Sequence, residues 1–213
     1  MSHWHSSTLT IGITLIVAGT LGIAAQEEGV KQIEQLIKKA QSEVSSINEA
    51  KQQLQKTMDA YNAVLAPDVK DRRDAYKTLQ KELVNSDKKR ADVSARAGEM
   101  NAEADKLFKS WQSSTAAIQS PELRQRSEER LKKTQDRFSE LREMGQNASG
   151  LYAPFIKTLQ DQVTYLGHDL NPGAVASLKP DADKLNGQAR DLYAAIDKVT
   201  AAANDNIAKL NAE

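Results

Sequence analysis

The residue best suited to chemistry is His168, which has Asp161 seven positions before it and Asp169 directly after it; the other histidines, His3 and His5, stand at the extreme N-terminus. A metal-binding helix of the zinc type places two histidines four apart, and a metal site of any kind gathers several ligands at one point. One imidazole with carboxylates at these spacings meets neither requirement. The residues instead support a cation near the end of a helix, where the backbone dipole is negative. An enzyme using His168 with carboxylates is the last of three functional alternatives.

Other reactive types are no better placed. Ser113 and Ser114 have no base at a useful spacing, and no GxSxG turn occurs. Acidic residues alternate with Lys and Arg, as on solvated helix faces, so general acid–base catalysis has no motivating pair. The chain contains no cysteine, which removes disulfides, thiolate ligands and a thiol nucleophile. Lys88-Lys89-Arg90 and the stretch from Arg124 to Arg130 are flanked by acids, and Lys plus Arg equals Asp plus Glu at 29 each. A neutral chain lacks the field that draws nucleic acid. No catalytic, cofactor-binding or metal-binding residue, no cofactor and no small-molecule substrate is therefore expected.

The elements that must position any site are long and helical. Residues 1–25 lack Asp, Glu, Lys and Arg, and Thr8 to Ala25 is an apolar run closed by small residues. This reads as a signal peptide cleaved near Ala24 or Ala25, with an uncleaved membrane anchor at residues 8–25 as the alternative. Either way the remainder, 26–213, lies outside the cytoplasm as a single elongated helical domain.

From Val30 apolar residues recur at steps of three and four: Ile33, Ile37, Ala40, Val44, Ile47, then, past Lys51, Leu54, Met58, Tyr61 and Leu65. Such a stripe implies a long helix packed on another. Pro67 ends it, with Asp68 expected to cap the second helix. A second seam runs from Val69 through Leu79, Leu83, Met100, Leu107 and Trp111 to Ile118, interrupted at Arg72, Ser86, Arg90 and Ser114. Ser120-Pro121-Glu122 is a helix start, with Ser as N-cap and Pro where its missing N–H costs nothing. The third helix points Leu123, Leu131, Phe138, Leu141 and Met144 inward, and Gly145 to Pro154 predicts a kink or short break. Asn171-Pro172 starts the last helix, whose stripe extends to Leu210 and which Pro180 bends early. About four long helices with short connections fold back antiparallel. The expected class is all-α, an elongated antiparallel bundle or coiled coil.

The run from Phe155 to Leu178 (FIKTLQDQVTYLGHDLNPGAVASL) resembles the signature of a bacterial family designated domain of unknown function 2959. Leu107-Phe108 with Trp111, and Leu123-Arg124 with Ser127 and Arg130, are similar to it in order and spacing. The likeness extends from about Val30 to the C-terminus. It implies an exported, helical, coiled-coil-containing envelope protein without an assigned activity. Gln162, His168 and Asn171 match positions of the family pattern, while Gly167 and Pro172-Gly173 are local departures. Together with Trp111, a seam residue or exposed anchor, those three are the candidates for a partner contact or a helix-turn lock.

The expected function is a non-enzymatic envelope scaffold or interaction module that binds a protein partner or itself, touching the membrane only through residues 8–25 if these are retained. A holdase or carrier shielding apolar cargo between helices is the second reading.

Overall fold

A computed structural model describes the backbone of residues 18–212 and the side chains of residues 29–212. The first part of the apolar leader thus lies outside the described residues. Among those described there are five helices and no strand: α1 (Ala18–Leu65), α2 (Arg72–Ala116), α3 (Pro121–His168), α4 (Pro172–Ser177) and α5 (Lys179–Ala212). The all-α bundle expected from the seams is present. At 48 residues each, α1 and α3 are about 72 Å long at 1.5 Å per residue.

Capping residues at the turns fix where each helix starts. Asp71, not Asp68, is the N-cap of α2, accepting from the Asp74 N–H at 3.0 Å. Arg72 reaches back to the Val64 and Ala66 carbonyls, which the end of α1 leaves without intrahelical partners. The Arg72 that interrupts the apolar seam is therefore a C-terminal cap. Ser120 caps α3 ahead of Pro121, and Arg124 donates to the Ile118 carbonyl through two nitrogens.

The short break expected within Gly145 to Pro154 does not occur. α3 runs unbroken through Gly145, Gly150 and Pro154. The proline forfeits one backbone bond, but Phe138 and Leu141 on one side and Phe155 and Leu159 on the other are buried, and breaking the rod would unseat them. The last segment, expected to bend early at Pro180, is interrupted at Leu178, and Pro180 sits in the first turn of α5. The short α4, headed by Pro172, precedes it as a separate element.

α1 pairs with α2 and α5, α3 with α5 and α2, and α4 packs on the start of α5. Antiparallel register is fixed by cross-helix contacts: Lys39–Glu99 and Lys89–Glu49, both at 2.7 Å between α1 and α2, and Lys51–Asp197 at 2.6 Å between α1 and α5. Lys51, the one polar residue in the α1 seam, spans the helix edge to reach its partner. Asn62 and Asn186 exchange two hydrogen bonds at 3.0 Å. Inside, one cluster joins Tyr61, Leu79, Phe155, Leu159, Leu166 and Leu185 near the α1–α2 turn. A second joins Leu36, Ala104, Leu107, Phe138 and Ile207 farther along, and Ile196 packs against both. Val30, Leu123 and Met144, expected to face inward, are exposed at 53%, 55% and 39%.

Candidate functional site

Three of the four candidate residues stand at one end of the bundle. Gln162 is buried in α3, and its Oε1 accepts the hydroxyl of Tyr61 from α1. Burial holds that phenol above its ordinary pKa, with the charge of Asp181 adding to the effect. At the next residue of α3, Tyr76 of α2 donates to the Val163 carbonyl at 3.0 Å. Its ring end lies against Gly167, where a Cβ would stand 2.6 Å from the hydroxyl oxygen. The missing side chain at Gly167 thus leaves room for the Tyr76 hydroxyl against α3. Asn171 caps α4 through its Oδ1 and the Ala174 N–H at 2.9 Å, while Asp169 accepts from its backbone N–H at 2.9 Å. His168 is the exposed last residue of α3, and its imidazole makes no hydrogen bond to any described residue.

Trp111 lies far from these, near the α2–α3 turn. Its indole N–H donates to Ser127 Oγ at 3.1 Å, and the Arg130 guanidinium stacks 5.7 Å from its ring centroid. Thr115 and Ser127 share a 2.6 Å hydroxyl contact beside it. The structure therefore brings Gln162 and Asn171 to the same end, places His168 on its surface, and separates Trp111 from all three.

Sequence reasoning missed three groups. Thr57 and Ser86 are buried and 2.8 Å apart, and the single Thr57 hydroxyl hydrogen is shared between backbone carbonyls of α1 and α2, each 3.0 Å away. Ser86 reads in sequence as a seam defect, and only its register opposite Thr57 reveals a polar pair. Glu43 is mostly buried with no cationic partner among the described residues, and burial pushes its carboxyl up to about 7. The buried hydroxyls of Tyr152 and Tyr193 find no partner among the described residues, and burial raises both to about 12.

A small polar cavity of about 120 Å³ lies between α1 and α2, lined by Ser42, Ser45, Glu49, Lys89, Asp92 and Arg96. Its charges neutralise one another: Lys89 is bound to Glu49, and Arg96 contacts Ser42. No group of three or more metal-ligating side chains occurs among the described residues, and no described helix is long and apolar enough to cross a membrane.

Cross-helix polar locks around a packed interior define the class as an all-α antiparallel helical bundle. A family model described as "Protein of unknown function (DUF2959)" matches residues 23–210. The chain belongs to that family. No curated protein and no solved structure matches it.

Proposed function

We propose that this protein is a non-enzymatic scaffold or interaction module of the bacterial envelope, which presents long helix faces to a protein partner or to itself. The observation that carries the reading is the interior. Two hydrophobic clusters share Ile196 and fill the bundle along most of its length, leaving its outer faces as the surface on which recognition acts. Export is supported by the apolar run from Thr8 to Ala25, and the family match begins at residue 23, beside the expected cleavage positions. Trp111 stays a candidate partner anchor because its ring is only partly covered.

Site-specific crosslinkers distributed over α2 and α3 in the native envelope test the proposal. Reproducible adducts to one protein, lost when surface charge near the crosslinker is reversed, are expected. Uncrosslinked chain at every position would defeat the scaffold reading. Intact mass of the envelope-extracted protein tests export separately, with loss of the first 24 or 25 residues expected.

A further inference from the structure

We propose that the chain forms a weak antiparallel homodimer in which α3 crosses the α3 of a second copy at Gly150. The proposal rests on the reading that exposed helix faces serve assembly, and it names the first partner as the protein itself.

The middle of α3 is unlike the rest of the surface. From Met144 to Ile156 there is no charged residue, in a chain where 27% of residues are charged. Within this stretch Leu151 is 44% exposed, and Met144 on the same edge is also exposed. Asn147, Gly150 and Pro154 alternate by three and four, lie on one helix face and are exposed. A Cβ at Gly150 would meet nothing within 4 Å. The glycine thus satisfies no packing need inside the subunit, yet it costs helix stability relative to alanine. Absence of a side chain there permits another helix to approach closely.

Charge at the ends of this stretch selects the occupant. The same face carries Glu143 on one side and Lys157 on the other, each seven residues from Gly150, both exposed. A two-fold axis through Gly150 sets Glu143 of each copy against Lys157 of the other, as an isologous contact requires. The neighbouring helix follows the same symmetry. Asn206 of α5 bonds to the Arg137 carbonyl of α3, and counting antiparallel from that pair puts Asp191 level with Tyr152 and Lys198 level with Gly145. Both are exposed. An axis exchanging those levels passes between Ala148 and Ser149, within about 2 Å along the helix of the axis at Gly150. None of the four charged residues has an ion pair among the described residues, so all four remain available to the second copy. One helix crossing with two flanking charge pairs lies at the small end of specific interfaces, and the dimer is accordingly weak.

Sedimentation equilibrium of the full chain, at rising concentration and low salt, tests this. Wild type is expected to dimerise in the micromolar range. Glu143→Lys, which sets a lysine against Lys157, is expected to weaken association about tenfold or more, and adding Lys157→Glu to it restores association. Helical circular dichroism should be equal in all three, because both positions are exposed. The cysteine-free background allows a second measurement: oxidised Gly150→Cys should run as a disulfide dimer, and oxidised Lys133→Cys as a monomer. Wild type that stays monomeric, or a charge swap that fails to restore what the single reversal removed, would overturn the dimer. A monomeric wild type that still gives envelope adducts to another protein leaves the scaffold role intact, whereas a dimer without such adducts removes only the wider role.

Discussion

The two ends of the bundle solve one problem, holding antiparallel helices in register, by different means. At the α1–α2 turn end, Tyr61 and Tyr76 thread their hydroxyls to Gln162 and the Val163 carbonyl of α3, α4 covers the start of α5, and Phe155, Leu159 and Leu166 are fully packed. At the α2–α3 turn end, Val30 and Leu123 are exposed, and Trp111, Thr115 and Ser127 hold the hairpin through partly buried contacts. The first end is tied by hydrogen bonds that reach from one helix to another, the one between Tyr61 and Gln162 being buried. The second is held by a shallow polar pile on two helices, and opens first when the protein fluctuates.

The largest test of that contrast compares equivalent truncations. Leu159→Ala removes a side chain with no exposed surface and is expected to cost about 3–5 kcal/mol, whereas Leu131→Ala, nearer the opposite end, should cost about 2 kcal/mol, because the tip can relax around the loss. Urea denaturation followed by circular dichroism measures both. Equal losses would remove the distinction between the ends.

Tyr61→Phe comes next. It leaves the Gln162 Oε1 buried without its donor and should destabilise by about 1–3 kcal/mol. Combining it with Gln162→Leu should recover part of that loss, since two apolar partners leave no orphaned acceptor. A double variant no more stable than Tyr61→Phe would mean that the hydrogen bond is not what the site contributes.

Much of the fold is legible in the sequence because long seams and capping residues are local signals. The stripe from Ile33 to Leu65, the Ser120-Pro121 start and the Asn171-Pro172 start all stand where their spacing puts them. Misreadings cluster where the outcome depends on a neighbour. Gly145 to Pro154 spells a break to local rules, but buried residues on both sides keep α3 continuous. Val30 and Leu123 keep the seam periodicity yet are exposed, because periodicity alone does not say how far a neighbouring helix covers a stripe. The polar pairs Thr57–Ser86 and Tyr61–Gln162 join residues 29 and 101 positions apart, and neither distance leaves a mark in either local sequence. His168 is the opposite case: its chemistry draws attention, and its position is an exposed helix end.

Glu43 supplies a smaller, pH-dependent effect in the middle of α1. Its folded pKa is raised by burial to about 7 from an ordinary 4.5, so the folded state holds a proton that the unfolded chain releases. Its contribution is complete below about pH 4.5 and lost as pH rises through about 7. Partial exposure reduces the full shift to an expected loss of about 1–2 kcal/mol. Urea midpoints should therefore fall between pH 5 and pH 8 in wild type and stay level in Glu43→Gln, with the variant the more stable at pH 8. Parallel curves would mean that Glu43 ionises in contact with water.

The smallest effect belongs to Trp111. Phenylalanine there keeps much of the apolar area but loses the bond to Ser127 and weakens the cation contact with Arg130, together worth about 1 kcal/mol at a partly exposed site. Global stability should scarcely change, because the tip opens below the free energy of complete unfolding. Hydrogen exchange should instead quicken in the last turns of α2 and the first turns of α3, while amides around Leu159 and Leu166 keep their protection. If Trp111→Phe accelerates exchange at both ends alike, the two ends unfold as one unit, and the difference in their construction has no energetic consequence.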